Sequence, residues 1–386
     1  MPADPPAPGG ALLAGLRILD FTFQGAGAYA SMLLAALGAD MIKVESSLRP
    51  DPTRGRENRP YLRSLLFDDV NLAKRGITLN MKTEDGRALA RQLAGRCDAV
   101  TDNFRPGVMT RWGMNFEAIA AVNPRIVSAS LSAMGSGGPL AELPGYAGIF
   151  NALSGLGGLN GYAGGPPTEL RTSVDMRAGA FFAFAVTQAL LAARMTGAGS
   201  RVDVSATECI SALIGEYLAA YLLLGQEQER IGNDDPAAVA HGVFASADDN
   251  WVAVAVRTEQ EWGRLALPAR DQREPARILA SWLSATPAAE AVARLASAGV
   301  AAAIVQDAAA LAADPQHGYR RLFTELPPRP NGERRMATAA PWLVNGERPP
   351  VTPGPELGAD TTAVLRDVLG MAAEDITALT ESGALR

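Results

Sequence analysis

Short apolar runs and longer mixed stretches alternate along the first part of the chain. The runs at residues 17–21 and 41–44 are typical of β-strands, whereas residues 29–37 carry apolar side chains on more than one helical face. This order predicts a βαβ unit, whose crossover is right-handed in nearly all proteins. The turn after the first strand would direct backbone amides and a helix N-terminus at an anionic ligand; it consists of Gln24, Gly25, Ala26 and Gly27.

The same alternation continues as far as residue 224. Strands separated by helices at this spacing predict a parallel α/β sheet. The expected strands are 77–80, 99–101, 126–131 and 201–204, and the expected helices are 83–95, 116–122, 176–195 and 208–224. The Gly-rich stretch at residues 135–167 is expected to be a loop that could approach a ligand closely.

A polar stretch at residues 226–235 predicts a domain boundary. Beyond it, strands and helices predict a small α+β domain, and the tail is again helical. The strands are 251–256 and 300–305, and the helices are 276–283, 288–297, 361–369 and 376–379.

A chain of 386 residues is long enough for two domains, each with its own core. The apolar fraction of 48% is typical of a globular protein. A net charge of −6 argues against nucleic acid as a general partner, because no basic excess exists to neutralise phosphates. Any polyanionic ligand must therefore bind at a local cluster of cations. The three lysines all precede residue 83 and share the N-terminal half with several arginines: Lys43, Lys74 and Lys82, with Arg49, Arg54, Arg75, Arg105 and Arg111.

Cysteine and histidine are scarce. Cys97 and Cys209 are too few for a disulfide framework and are typical of a reducing cytoplasm. His241 and His317 offer no zinc-site spacing, so no metal is expected.

No targeting segment is apparent in the first residues. Residues 1–10 lack the basic and apolar regions of a signal peptide and are expected to be a disordered lead-in. The apolar stretch at residues 178–193 is shorter than a bilayer span and is expected to be a buried core helix. A cytoplasmic protein is therefore expected, with no membrane partner.

The glycine turn permits a dinucleotide interpretation. Gly25, Gly27 and Ala30 have G-x-G-x-x-A spacing, and Glu45 lies 20 residues after Gly25, where a ribose-binding carboxylate would be found. The alternative is a packing turn without a nucleotide, and Arg54 close to the second strand would be unusual for NAD.

Asp175 stands at the predicted start of the 176–195 helix and has two interpretations. It could be the N-cap that accepts hydrogen bonds from the first free amides. A carboxylate at a helix N-terminus beside Arg171 and Arg177 also stays ionised at neutral pH, and after a Gly-rich loop it could attack an activated acyl group.

The segment after residue 102 also has two interpretations. Asn103, Phe104, Arg105, Pro106 and Gly107 are most simply a turn. An aromatic ring next to an arginine could also stack on a purine and bind its phosphates.

Taken in order, these segments resemble the class III CoA-transferase family, which includes formyl-CoA and carnitine CoA-transferases. The resemblance rests on the ordered set GLRILDF, LGADMIKVE, NLAKRGITLNMKT, DNFRPGVMTRWG, NPRIVSASLS, PGY, SVDMRAG, ARMTGAGSRVDVS, LASAGVAAAIVQDAAALAADPQ and PELGADTTAVLRDVLG.

The resemblance implies a Rossmann-like large domain built from both chain ends, a smaller domain between them, and two subunits interlocked like rings. The domain limits expected are 11–225, 226–325 and 326–386. Asp175 would be the catalytic nucleophile and would form an aspartyl-CoA thioester between an acyl-CoA donor, such as succinyl-CoA, and a carboxylic acid acceptor. The CoA contacts would be Gln24, Gly25, Ala26, Arg54, Leu72, Lys74, Arg75, Asn103, Phe104, Arg105 and Arg111. CoA would be a substrate, with no tightly bound cofactor expected.

Some positions depart from the family pattern. Ala147 replaces the frequent Asp after PGY, and the tail's usual Gly-Glu-His-Thr is replaced by the residues at 358–361. Acyl-CoA racemases of the family carry His where Tyr146 stands, so racemisation ranks second. A homodimer is expected, and a subunit of a heteromeric CoA-transferase is the remaining alternative.

Overall fold

The computed structural model describes residues 11–54, 65–169, 173–267, 275–328, 332 and 334–386. The lead-in predicted for residues 1–10, and Arg171, lie outside these residues. The chain divides into two compact units. The first consists of Met1–Leu156, Leu170–Glu216 and Tyr319–Arg386, and the second of Gly157–Glu169 and Tyr217–Gly318.

The first unit is built on a six-stranded sheet in which all neighbouring strands are parallel. The strands are β1 (Arg17–Asp20), β2 (Asp40–Glu45), β3 (Arg75–Thr78), β4 (Ala99–Asp102), β5 (Val127–Ser132) and β6 (Ser200–Ser205). Their order across the sheet is β3-β2-β1-β4-β5-β6. This is the strand order of a dinucleotide-binding Rossmann sheet. The predicted Rossmann-like parallel sheet is confirmed.

Helices alternate with the strands along the chain. The helices among the described residues up to 224 are α1 (Gly25–Ala36), α2 (Leu65–Asn71), α3 (Glu84–Ala94), α4 (Val108–Arg111), α5 (Phe116–Ala120), α6 (Ala147–Leu153), α7 (Leu156–Leu159), α8 (Ser173–Thr196), α9 (Ala206–Ser211) and α10 (Gly215–Leu224). Most of α7 and of α10 belongs to the second unit. The core between sheet and helices consists of aliphatic side chains such as Leu19, Ile42, Ile77 and Leu93, all nearly inaccessible to solvent. Burial of this apolar surface is the main stabilising contribution to the unit.

The second unit contains a three-stranded antiparallel sheet and its own core. The strands are β7 (Ala240–Ala245), β8 (Trp251–Val256) and β9 (Ala301–Ile304), and the helices are α11 (Glu259–Arg264), α12 (Pro275–Ser284), α13 (Ala288–Ser297), α14 (Ala308–Ala313) and α15 (Pro315–Tyr319). Leu279, Leu283 and Leu295 are completely buried beside Val252 and Val254. The predicted small α+β domain is confirmed in class.

The C-terminal residues return to the first unit, as predicted. They form the hairpin β10 (Phe323–Leu326) and β11 (Arg335–Thr338), then α16 (Thr361–Leu369) and α17 (Ala373–Glu381). Asp360 accepts a hydrogen bond from the Gly76 amide, and the Thr361 hydroxyl accepts one from the Thr78 amide. Two residues of the atypical tail motif thus satisfy backbone groups of the edge strand β3.

Some expectations for the secondary structure were wrong. The Gly-rich stretch, expected to be a loop, contains α6 and α7. The sequence did not indicate these helices, because glycine is a poor helix former. The helix expected at residues 208–224 is two helices, α9 and α10, joined by a short 3-10 turn at Ala212–Ile214.

The helix expected to be buried, α8, is buried on one face only. Val174, Ala178, Phe182 and Val186 face the interior at helical spacing, whereas other apolar side chains are exposed: Phe181, Phe184, Leu191 and Met195. By length and apolar composition α8 and Ala206–Leu224 could each cross a membrane, a test that core helices of soluble proteins also pass.

Candidate active site

The order of strands reverses between β1 and β4, which are neighbours in the sheet. In open α/β sheets the crevice beyond the carboxyl ends of the strands at such a point is the usual place for a ligand. The predicted glycine turn follows β1, and Asn103 and Phe104 follow β4. The fold therefore brings both predicted segments to the same edge.

The turn is held in an unusual conformation. Gln24, which precedes α1, has φ 57° and ψ −150°. Non-glycine residues rarely adopt this region, and it costs about 1–3 kcal/mol unless the surroundings impose it. The neighbouring Phe23 is bound on both sides by one side chain: its amide donates to Asn103 Oδ1 and its carbonyl accepts from Asn103 Nδ2, each at 2.9 Å.

A buried ion pair binds the two residues that flank Phe23. Lys43 Nζ lies 2.9 Å from Asp51 Oδ2 and donates to the Thr22 carbonyl at 2.8 Å. The Gln24 amide is 3.3 Å from each Asp51 carboxylate oxygen. Both side chains of the pair are fully buried. Side chains from distant positions thus bind four consecutive main-chain polar groups, from the Thr22 carbonyl to the Gln24 amide, where the chain enters the turn.

A second buried pair lies beneath α1. Lys74 Nζ is 3.4 Å from Asp20 Oδ2 and donates to the Ala28 carbonyl, Ser31 Oγ and Asn71 Oδ1. Burial lowers the pKa of Lys74 to about 8, and Asp20 offsets part of that effect. Burial opposes ionisation of Asp20, but Lys74 and Lys43, together with hydrogen bonds from Thr22 and Ser31, hold the pKa of Asp20 below its usual value. The Lys74 ammonium has four partners in the interior, so contact with a CoA phosphate would require breaking them.

Asp175 lies beside the turn. A β-carbon built on Gly25 would be 2.7 Å from Asp175 Oδ2, so the carboxylate is against the Gly25 backbone. Helix α8 begins at Ser173, which places Asp175 inside its first turn, and Asp175 is half-buried. The N-cap interpretation of Asp175 was therefore wrong, because the helix begins three residues earlier than the apolar pattern indicated.

Close packing of α1 and α8 sets this approach. A β-carbon on Gly179 would be 2.5 Å from the Ala26 carbonyl oxygen, and one on Gly27 would be 2.6 Å from Asn103 Cγ. Glycines at these positions let the two helices and the Asn103 loop converge.

The predicted CoA-binding arginines fall into two groups, and those of the first bind carboxylates. Arg54 donates to Glu45 at 2.8 and 2.6 Å, and its guanidinium lies 3.8 Å from the centre of the Phe67 ring. Glu45 also accepts a hydrogen bond from the Asp51 amide. The carboxylate that would bind the ribose of a dinucleotide is therefore already bonded within the protein. Arg75 donates to Asp40 at the start of β2, whereas the turn follows the end of β1. The structure therefore does not bring Arg75 to the turn.

The second group is exposed. Arg105 and Arg111 carry no ion pair with any described residue, and both follow β4 in the same loop region as Asn103. Arg111 ends the short helix α4, and a β-carbon on Gly107 would be 3.3 Å from its guanidinium. These two arginines remain available to an anion.

Phe104 and Leu72 take part in packing. The Phe104 ring lies 5.4 Å from the Phe23 ring and 5.1 Å from the Trp112 ring, the latter edge to face. Leu72 is 4% exposed, so it offers almost no surface to CoA.

Lys43 and Asp51 were absent from the predicted site residues. The signal was present in the sequence, since Lys43 interrupts the apolar run of β2 and lysine is almost never fully buried unless paired. Among the described residues, no group of three His, Cys, Asp or Glu side chains could hold a metal.

The sequence matches the description CoA-transferase family III over residues 13–361. The chain belongs to this family. The matched range includes the glycine turn, the Asn103 loop and Asp175, so the resemblance noted in the sequence is confirmed. Membership also supports the predicted enzyme class.

Members of the family align with different parts of the chain. Acetyl-CoA:oxalate CoA-transferase of Acetobacter aceti is 37% identical over 255 residues, which cover 65% of this chain and 64% of that one. The succinyl-CoA–L-malate CoA-transferase alpha subunit of Chloroflexus aurantiacus is 34% identical over 258 residues, 66% of this chain and 60% of that one. These alignments span less than two thirds of the curated relatives. A CaiB/BaiF family protein from Brucella suis has the same fold, with a TM-score of 0.81 at 25% identity over 92% of this chain and 99% of that one.

Proposed function

We propose that the protein is an acyl-CoA:carboxylate CoA-transferase in which Asp175 is the nucleophile. The observation that carries the proposal is the position of the Asp175 carboxylate against Gly25, at the switch point of the sheet. A carboxylate there faces the start of a twelve-residue helix whose first amides have no partner within the helix.

The chemistry follows from a single carboxylate exchanging acyl groups with a thiol. Asp175 attacks the donor thioester carbonyl and expels CoA thiolate, which leaves a mixed anhydride of the donor acid and Asp175. The thiolate attacks the aspartyl carbonyl, so the donor carboxylate departs and an Asp175–CoA thioester remains. The acceptor carboxylate then attacks that thioester, and the thiolate released attacks the acceptor carbonyl of the new anhydride. Acyl-CoA leaves and Asp175 is restored. A covalent relay replaces one difficult exchange with steps that each have a good leaving group.

The turn would stabilise the oxyanions of these steps. The free amides at the start of α1 belong to Gly25, Ala26 and Gly27, beside Asp175. Preorganised backbone donors aimed at a developing oxyanion typically contribute more than any other single effect. CoA phosphates would bind the exposed Arg105 and Arg111, because Arg54, Lys74 and Arg75 are already paired with acids.

Small carboxylic acids are the proposed acceptors. Relatives are named for oxalate and L-malate, with acetyl-CoA and succinyl-CoA as donors. We place the enzyme in the cytoplasm, since Cys97 and Cys209 are both free and buried. A homodimer is proposed because α8 exposes a row of large apolar side chains.

The test is chemical trapping of the intermediate. Protein mixed with acetyl-CoA or succinyl-CoA, without acceptor, is treated with hydroxylamine and digested, and the modified peptide is found by mass spectrometry. Adduct is expected on the peptide containing Asp175. Asp175→Asn should form none and lose transfer by at least about 10⁴-fold, the scale seen when a covalent nucleophile is removed. Asp85→Asn is the matched control, since Asp85 is an exposed carboxylate in the first turn of α3. Adduct on another residue, or turnover by Asp175→Asn, would contradict the mechanism.

Two alternatives remain as outcomes of the assay. Racemisation would appear as exchange of the α-proton of a branched acyl-CoA in heavy water, without transfer. Tyr146, at the position of the racemase His, precedes α6 and is 71% exposed. One relative is named as an alpha subunit, which suggests a heteromer as the second alternative. In that case CoA transfer would be detected only after a paralogous subunit is added.

A further inference from the structure

The buried pair of Lys43 and Asp51 has no part in the chemistry proposed above, although burying two charges is unfavourable unless their partners are well placed. Both side chains are fully inaccessible to solvent. Asp51 accepts from the Thr53 amide at 2.9 Å and the Thr53 hydroxyl at 2.7 Å, besides Lys43. Asp51 therefore has partners on both carboxylate oxygens, and Lys43 donates to Asp51 and to the Thr22 carbonyl.

The pair binds the main chain on both sides of Phe23. Lys43 donates to the Thr22 carbonyl and Asp51 accepts from the Gln24 amide. Asn103 binds the amide and carbonyl of Phe23 itself. We call Lys43, Asp51 and Asn103 the turn clamp. They come from β2, from the loop after it and from the loop after β4.

The clamp has a mechanical consequence at Gln24. The next residue, Gly25, is the one against Asp175. Gln24 has a positive φ of 57°, which a non-glycine residue keeps only when its surroundings impose it. With the Gln24 amide released, the backbone can relax, and the direction of the first amides of α1 relative to Asp175 changes.

We propose that Lys43 and Asp51 are positioning residues that hold the Gln24–Gly25 backbone in register with Asp175. This rests on the proposed function and adds to it the requirement that the turn be fixed from beneath. A purely structural pair would affect folding alone. A positioning pair affects the rate of transfer in protein that is fully folded.

Two double variants separate these roles. Lys43→Met/Asp51→Asn removes both charges and keeps a side-chain carbonyl that can accept from the Gln24 amide. Lys43→Met/Asp51→Leu removes both charges and the acceptor. Removing both members of a buried ion pair is tolerated far better than removing one, because no charge is left unpaired. If the leucine version does not fold, Lys43→Met/Asp51→Ala replaces it, since alanine also lacks the acceptor.

A third double variant controls for the loss of any buried pair. Arg335 at the start of β11 and Asp68 in α2 form a buried ion pair in the same unit. Arg335→Met/Asp68→Asn should melt at a lower temperature than wild type yet transfer CoA within about threefold of its kcat.

The expected result is a separation of kcat from stability. The assays use acetyl-CoA with oxalate, or succinyl-CoA with L-malate. The Lys43→Met/Asp51→Leu variant, which has no hydrogen-bond acceptor at position 51, should lose about 10²-fold in kcat, the scale of a misplacement of about 1 Å. Its KM for acyl-CoA should stay within about threefold, and the asparagine variant should be at least about tenfold faster at a matched melting temperature. Equal kcat values for the Asp51→Asn and Asp51→Leu double variants would overturn the proposal. A decrease in kcat of equal size in the Arg335→Met/Asp68→Asn control would also overturn it.

Trapping with hydroxylamine distinguishes failure here from failure of the mechanism. Wild type that forms no adduct on the Asp175 peptide would refute the nucleophile and the positioning proposal with it. If wild type forms the adduct and the Lys43→Met/Asp51→Leu variant forms it at the same single-turnover rate, only the positioning proposal is refuted.

Discussion

The Asp175 carboxylate and the Gly25 backbone are so close that a β-carbon on Gly25 would lie 2.7 Å from Asp175 Oδ2 and 2.9 Å from Cγ. Real side chains do not tolerate such separations, so this contact exists because position 25 has none. Gly179 permits the matching approach on the other side, where α8 passes the Ala26 carbonyl. The geometry of the candidate nucleophile therefore depends on glycines as much as on Asp175.

Gly25→Ala should greatly reduce transfer. The added methyl group must displace the Asp175 carboxylate or the turn, and misplacement of about 1 Å can cost about 10²-fold in rate. A fall of that size in kcat, with a melting temperature near that of wild type, is the expected outcome. Gly263→Ala is the control, since a β-carbon there meets nothing within 4 Å. Wild-type kcat in Gly25→Ala would show that the contact has no catalytic importance.

Arg111→Ala should weaken binding of every acyl-CoA donor to the same extent. A hydrogen bond to a charged group contributes about 1.5–3 kcal/mol, which corresponds to an increase of about 10- to 150-fold in KM. Acceptor preference should not change, because the phosphates are common to all donors. Steady-state kinetics with two donors and two acceptors measure this.

Arg125→Ala is the comparison for Arg111, because Arg125 is an exposed arginine that precedes β5 and lies outside the predicted site. A defect in Arg111→Ala that is confined to one acceptor would place the phosphates elsewhere.

Eight strands and the family could be read from the sequence because both depend on local order, but β7, β10 and β11 were not predicted. Apolar runs of four to six residues separated by helices define a parallel sheet, and the limits of the predicted strands differ from those found by at most two residues. The resemblance implied both a nucleophile at Asp175 and CoA contacts at the glycine turn, and the structure brings Asp175 against Gly25 of that turn.

The partners of the charged residues could not be read in that way. Lys74 binds Ala28 and Ser31, and Arg54 binds the Pro355 carbonyl near the other end of the chain. Such pairs depend on the packing of distant segments, so the sequence showed a cluster of cations without showing which are neutralised. Phe104 is a similar case. Its residue type allowed either stacking on a purine or packing in the protein, and the contact with Trp112 depends on the conformation of the loop.

The exposed apolar face of α8 should be covered in a homodimer. Interfaces between obligate partners bury large apolar areas, and Phe184 is 64% exposed and Met195 78% exposed in the single chain. Phe184→Glu should therefore shift sedimentation toward the monomer or toward aggregates, because it places a charge in an apolar contact. Val122→Glu, which changes an exposed apolar residue just after α5, should sediment as wild type. A monomeric wild type at micromolar concentration would contradict the homodimer.

Asp102 should make stability depend on pH in a direction that a single variant can reveal. It ends β4, and burial raises the pKa of its carboxyl to about 6. Its oxygens accept from Ser130 Oγ at 2.6 Å and from the Phe104 amide at 3.1 Å, which offsets burial only in part. A folded pKa above the unfolded value of 3.8 means that the folded state binds more protons between these values, so stability falls as pH rises through about 6. Each pKa unit corresponds to about 1.4 kcal/mol, so keeping this carboxylate ionised at pH 8 costs on the order of 2–3 kcal/mol.

Asparagine at position 102 has nearly the same shape and cannot ionise. Its carbonyl can accept from the Phe104 amide while its amino group donates to Ser130 Oγ, so both contacts survive. Asp102→Asn should therefore unfold at a higher denaturant concentration than wild type at pH 8, and the two proteins should converge toward pH 4, where the wild-type carboxyl is protonated. Urea unfolding of both proteins across this range measures the effect. A difference that does not change with pH, or one that grows as pH falls, would show that the Asp102 carboxyl does not titrate on folding as proposed, and the stability difference would then have to come from packing alone.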